Sequence, residues 1–432
     1  MIKFDKDVLN ALKALEKEGF ETYAAGGCVR DHFLGLKVYD WDLYTRATLS
    51  DMQRILPQGK VFDEENQILR VDFTYEVPSK EEGEPTTIDG SIADIRHFDG
   101  PLEDVLRDMD FTVNAMADNP DRQFADPFGG RDDIKSKIIR TTTDANQVFA
   151  RRPVRMMEAV RLAAENDFDL HKDIFEAIGA NWRTLMEQVD SGDREAVRAV
   201  RKEFEAIAAS EFAGKGLRML TGSGLMAVIW GEDIASRMSM TDTNAFKTVC
   251  ENIDKTKQVT DRRLGLIYTA LKEKKALAAI DRLQFGPKTK THLVDGVKYH
   301  IDINFLNTDV EFKKFMYKVG RERYLYLHNL AKALRIVYDQ PTSKVESRNY
   351  MLQKVTAGKE PIFAEDLVID ANDIMEAGIT DDPARAQELL ELVTALVHKN
   401  PVNNHRDVLL KYARKYHKNK LAAKMRYITW AK

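Results

Sequence analysis

Asp40 and Asp42 are the residues from which a chemistry can first be read, standing two apart in the stretch Asp40-Trp41-Asp42-Leu43. The side-chain period of a strand is two, so the carboxylates share one face while Trp41 and Leu43 share the other. That places two like charges about 6–7 Å apart along the strand. Keeping both ionised is costly unless a cation lies between them. Hard carboxylate oxygens suit Mg²⁺, which commonly takes one or two of them together with substrate phosphates. Upstream, Gly26 and Gly27 form a turn whose backbone N–H groups can approach an anion, and the helix that follows offers its N-terminus to the same charge. Arg30 follows within that first turn as a permanently charged fork for phosphate. An isolated Asp-x-Asp on a solvated strand is common; a phosphate cradle within the same short stretch points to nucleotide chemistry.

The elements that must position these groups follow from periodicity. Val8, Leu12 and Leu15 recur at helical spacing between Asp5 and Gly19, and a short strand is predicted over Thr22 to Ala25. A helix over Leu49 to Leu56 ends at Pro57, a strand runs from Gln67 to Val77, and the polar Pro78 to Thr87 stretch reads as a protruding loop. Ile92 to Phe98 is a further strand. It carries Asp94, and the strand before it carries Asp72 in RVDFTYE. From Gln147 onward the pattern is helical, with glycines in GLRMLTGSGLMAVIW punctuating a helix-turn-helix.

Gly26-Gly27-x-Val29-Arg30-Asp31 followed by the Asp40-x-Asp42-Leu43 strand resembles the head-domain signature of the polymerase-β-like nucleotidyltransferases, specifically the bacterial-type (class II) CCA-adding enzymes and their poly(A) polymerase relatives. DVLRDMDFTVNAMA resembles the family's RRDFTINAMA. There Asp110, Phe111, Thr112 and Asn114 match, while Asp108 and Met109 replace the paired arginines. The resemblance implies that Asp110 meets the ribose of the incoming nucleotide, and the buried-type residues Phe111 and Met116 read as core. ADPFGGRDD resembles a structural turn of the family, held by Asp126. ARRPVRMMEAVRLAAENDF aligns with the family's EDPLRxLRAxRFAA, whose acidic residue and arginine read the base. Arg155 and Arg161 match, whereas Arg151 and Arg152 replace the acidic pair and Glu158 replaces an arginine. Two arginines offer donors only. Glu158, one turn beyond Arg155, is either the substitute acceptor or half of a charge-swapped ion pair.

The resemblance implies an α+β chain: a small mixed-sheet nucleotidyltransferase head over residues 1–140, then an elongated all-helical neck (141–208), body (209–308) and tail (309–432). It further implies addition of CCA from CTP and ATP to tRNA 3′ ends. In that scheme Asp40 and Asp42 bind Mg²⁺, Asp94 is the favoured third carboxylate with Asp72 as its rival, and Gly26, Gly27, Arg30, Asp110, Asn114, Arg152, Arg155, Glu158 and Arg161 bind nucleotide. Poly(A) addition is the near alternative, disfavoured because a GRRF-like segment is replaced by KVFDEENQILRV. A non-catalytic RNA-binding derivative is the alternative of another class.

Composition agrees with an ordinary globular chain of several domains: 432 residues, 44% hydrophobic and 31% charged. Only Cys28 and Cys250 are present, which excludes a disulfide framework or a Cys-x-x-Cys metal site. No apolar run is long enough for a membrane span and the acidic start is unlike a targeting peptide, so a cytoplasmic location is expected. Net charge of −4 does not advertise a nucleic-acid binder, but the segment from Arg406 to Lys432 holds nine Lys or Arg and one acid, interleaved with Tyr412, Tyr416, Tyr427 and Trp430. Such a segment suits a phosphate backbone.

Overall fold

Val8, Leu12 and Leu15 form the buried stripe of α1 (Lys6–Lys17), which ends at Gly19 in a left-handed conformation. A computed structural model describes residues 2–77, 87–121, 123–357 and 360–419. After α1 come β1 (Thr22–Ala25), α2 (Gly27–Phe33), β2 (Asp40–Thr45), α3 (Leu49–Ile55), β3 (Lys60–Asp63), β4 (Ile68–Asp72), β5 (Tyr75–Val77), β6 (Thr87–Asp89), β7 (Ile92–His97), α4 (Leu102–Arg107) and β8 (Ala117–Asp118). The mixed sheet runs β3-β4-β7-β2-β1-β8, with β2 and β7 parallel at its centre and the other pairs antiparallel. Trp41 and Leu43 from β2, Ala93 and Ile95 from β7, and Leu69 and Val71 from β4 are all buried. Each large apolar side chain buried there contributes about 1.5–3 kcal/mol. The intervening positions Asp40, Asp42, Arg70, Asp94 and Arg96 are left on the opposite, wetter face.

The strand expected from Gln67 to Val77 is two strands. Gln67 adopts φ +50°, outside the ladder, and the Asp72 carboxylate accepts from both Thr74 N and Thr74 Oγ1 at 2.8 and 2.6 Å. This side-chain turn competes with the ladder and ends β4. The predicted Pro78 to Thr87 loop lies outside the described residues over 78–86, and Thr87 begins β6.

The DPFGG turn leads into α5 (Gly130–Ser136), whose first N–H groups are met by Asp126: Gly130 N and Arg131 N donate to its two oxygens at 2.6 and 3.0 Å. Asp126→Ala is expected to cost about 1 kcal/mol of stability, the usual worth of a side-chain cap. A urea midpoint unchanged from wild type would refute the capping role.

A parallel ribbon of β9 (Ile138–Ile139) and β10 (Asp169–Leu170) ties the end of the sheet region to the helices. Between these strands lie α6 (Ala145–Arg151) and α7 (Arg155–Asn166), separated at Pro153, which cannot continue α6. Then come α8 (Lys172–Asp190), α9 (Arg194–Ala209), α10 (Ala213–Ser223) and α11 (Met226–Trp230). Gly216 of α10 shows how close the packing is: a Cβ there would lie 2.8 Å from Ile207 Cγ2 and 2.9 Å from the Ala164 Cβ.

The chain divides into two compact units, Met1–Ala235 and Ser236–Lys432. Among the described residues of the second, every regular element is a helix. Its last helices, Ala371–Glu376, Pro383–Lys399 and Arg406–Lys418, share a core of Ile374, Leu389, Val393, Leu409 and Ala413. Asp382 caps Pro383–Lys399 by accepting from Ala384 N at 3.0 Å. Residues 420–432 of the basic C-terminal segment lie outside the described residues. Among the described residues no helix is long and apolar enough to cross a membrane.

Candidate active site

The turn before α2 is built by Gly26, at φ +91°, a conformation L side chains avoid. Its N–H donates to Met116 O at 3.2 Å, joining the turn to the DFTVNAMA segment. A Cβ at Gly26 would stand 3.6 Å from Asp42 Oδ2, so the turn lies directly against the carboxylate. Cys28, next in α2, is fully buried; its thiol donates to Ala25 O at 3.2 Å, and burial pushes it up to about 12.

Strand register settles which acid stands beside the pair. Asp94 is the direct partner of Asp42 across β2 and β7, and Arg70 on β4 is the direct partner of Asp94. Asp72, the rival, is paired with Ile92 and occupied by Thr74. Arg70 holds Asp94 by both oxygens at 2.7 and 2.8 Å, and Arg96 Nη2 donates to Asp42 Oδ1 at 3.1 Å. Burial pushes the Asp42 carboxyl above its ordinary range, Arg96 opposes this, and Asp94 and Asp40 add to it. Among the described residues no three acids, histidines or cysteines converge on one point. The donor set fitting a hard cation is therefore Asp40 and Asp42, two carboxylates on one accessible strand face with the glycine turn leaving room beside them.

Arg30 reaches from α2 to the second segment, donating to Asn114 Oδ1 at 2.6 Å and to Asp31 at 2.8 Å. Asp110 sits at φ +61° and is only 4% exposed. It pairs with Arg155 at the start of α7, while Arg151 Nη2 at the end of α6 stands 3.8 Å away. Burial pulls the Arg155 guanidinium below its usual range.

Glu158 lies 3.6 Å from Arg152 Nη2, an arrangement compatible with both readings left open for it, and Arg155 is engaged by Asp110. Arg161 is held by Glu203 at 2.5 Å and Glu165 at 2.8 Å. Burial alone would lower it, and these two carboxylates raise it above its ordinary value. Asp40, Asp42 and Asp94 thus lie on one sheet face, and Gly26 adjoins Asp42. Arg30 and Asn114 are joined, as are Asp110 and Arg155, while Arg161 is drawn into a separate acidic pair.

Arg70, Arg96, Glu165 and Glu203 are the members missed by sequence reasoning. For Arg96 the signal was available: in Asp94-Ile95-Arg96 the period of two puts both charges on one face. The acids that hold Arg161 are partners only through folding.

The Poly A polymerase head domain family matches residues 22–140. The CCA-adding enzyme of Geobacillus stearothermophilus is 32% identical over 236 residues, covering 52% of this chain and about half, 55%, of that enzyme's length. The CCA-adding enzyme of Leuconostoc mesenteroides is 26% identical over 426 residues, covering 95% of this chain and 96% of that one. The crystal structure of the Bacillus stearothermophilus CCA-adding enzyme in complex with CTP has a TM-score of 0.75 at 22% identity, covering 96% of this chain and 98% of that chain, which shows a common fold.

Proposed function

We propose that this chain, matched over residues 22–140 by the Poly A polymerase head domain family and similar to CCA-adding enzymes, is a template-independent RNA nucleotidyltransferase that adds CCA, from CTP and ATP, to tRNA 3′ ends in the cytoplasm. The observation that carries this reading is the contact of the Gly26 turn with Asp42, beside Asp40 and Asp94 on one sheet face. A phosphate-binding turn has no reason to abut a carboxylate pair unless a cation joins the two.

Asp40 and Asp42 would hold Mg²⁺, which when bound lowers the pKa of the attacking RNA 3′-hydroxyl and neutralises charge on the triphosphate. The hydroxyl oxygen forms a bond to the α-phosphorus as the bond to pyrophosphate breaks. Gly26 and Gly27 let the backbone approach the phosphates, and Arg30, fixed by Asn114 and Asp31, orients them. Asp110, fixed by Arg155, faces the ribose. Arg152 and Glu158 present donors and an acceptor together, and they are the proposed readers of the base. Arg161 supports this surface through Glu203 and Glu165. The basic helix Arg406–Lys418 and the residues after it bind tRNA phosphates.

The test is a tRNA lacking its last three nucleotides, incubated with each nucleoside triphosphate alone and with CTP and ATP together. Growth by three and a halt with the mixture is expected. An unlimited A tail would replace the reading by poly(A) addition, and no incorporation of any nucleotide, with RNA still bound, would leave a non-catalytic RNA-binding protein. The exchange of charges at Arg152 and Glu158 favours one second reading, 3′-end addition with altered base choice, which incorporation of UTP or GTP would reveal.

A further inference from the structure

Two guanidiniums stand among the acids of the site, and they are held very differently. Arg70 is anchored at both ends: its fork takes both oxygens of Asp94, and its Cζ lies 3.6 Å from the centroid of the Phe62 ring. Arg96 has no such anchor. Its Nη2 makes one hydrogen bond to Asp42 Oδ1, at 3.1 Å, and stands 3.7 Å from Asp94 Oδ2. The position follows from register: Asp94 and Arg96 share the face of β7, Asp94 is beside Asp42, and Arg96 leans back between them. With three carboxylates and two guanidiniums the cluster carries one uncompensated negative charge. Its single-bonded cation occupies an oxygen of a carboxylate assigned above to the metal.

We propose that Arg96 is a positioning residue that supplies the counter-charge between Asp42 and Asp94 when no divalent metal is bound and is exchanged for the metal when the site loads. The inference rests on the reading of Asp42 as a metal-binding carboxylate. Three acids on one sheet face cannot remain ionised and ordered without counter-charges; Arg70 supplies one to Asp94, and Arg96 supplies the other to Asp42 before metal arrives. A divalent ion and the guanidinium compete for the same carboxylate oxygen, because each is stabilised by close approach to it and repelled by the other. Free metal is therefore bound weakly, and loading is favoured when the ion arrives with the negative charge of a triphosphate, which can receive the displaced guanidinium. Arg70, fixed by its ring contact and bidentate pair, stays in place and keeps Asp94 oriented.

Mn²⁺ binding to the nucleotide-free, full-length protein, followed by electron paramagnetic resonance of the free ion, tests this without any turnover. Arg96→Gln is expected to bind Mn²⁺ about tenfold more tightly than wild type, and Arg96→Lys, which keeps the charge, to stay within about threefold of it. Arg96→Met carries the same expectation as Arg96→Gln should the latter fail to fold. Equal or weaker Mn²⁺ affinity in the folded, uncharged variants overturns the proposal. Asp42→Asn separates the two levels: if it binds Mn²⁺ as tightly as wild type, the metal reading beneath the proposal falls. If it abolishes binding while Arg96→Gln gives no gain, only the exchange falls.

Discussion

Asp42→Ala is expected to lower incorporation of CTP and ATP on the order of 10³-fold or more, the scale expected when a group acting chiefly in the transition state is removed. Its affinity for tRNA should remain close to wild type. Asp42 adjoins the Gly26 turn, accepts from Arg96 and is the ladder partner of Asp94 in the next strand. Removing it leaves Asp40 as the only carboxylate of the pair to hold the ion. The fold loses little, because the Asp42 side chain faces the wetter side of β2 and its burial already opposes its charge. Labelled nucleotide incorporation into trimmed tRNA, set beside filter binding of the same tRNA, checks both halves. Incorporation within tenfold of wild type would remove the metal assignment.

Asp110→Ala is expected to be the most destabilising of the single changes considered, by about 3–5 kcal/mol, because it leaves the buried end of Arg155 without its counter-charge. Arg155 and Asp110 are both largely buried, and each is the other's charged partner. Alanine at φ +61° adds about 1 kcal/mol of backbone strain. Asparagine accepts that conformation readily, so Asp110→Asn isolates the loss of charge from the loss of backbone fit. Urea midpoints of wild type and the two variants should fall in the order wild type, Asp110→Asn, Asp110→Ala. A loss below about 1 kcal/mol for alanine would mean that the pair does not carry the junction of the sheet region with α7.

Legibility differed between these sites for a physical reason. Asp40 and Asp42 could be placed on one face because strand period is a property of neighbouring residues, and Trp41 and Leu43 are indeed buried beneath them. The choice between Asp94 and Asp72 needed the register of β7 against β2, in which a slip of one residue would turn Asp94 into the core. The broken strand at Phe73 and Thr74 was missed because an Asp72 side-chain turn outweighed alternating hydrophobicity. From Gln147 onward the pattern reads as helical. Pro153 divides it, so Arg151 and Arg152 end one helix and Arg155 begins another.

By itself the sequence determined the local devices: the Gly26 turn, the alternating strand with its two carboxylates, the helix stripes, and the lack of any disulfide framework. These depend on residues a few positions apart, whose geometry is set by backbone sterics and side-chain period. Only the tertiary structure decided which charges meet. Arg70 with Asp94, Arg96 with Asp42, Arg155 with Asp110 and Arg161 with Glu203 are 24, 54, 45 and 42 residues apart in the chain. Any arginine could have satisfied any of these acids electrostatically. Sheet register and helix packing selected the partner, because they fix which side chains come within ion-pair distance.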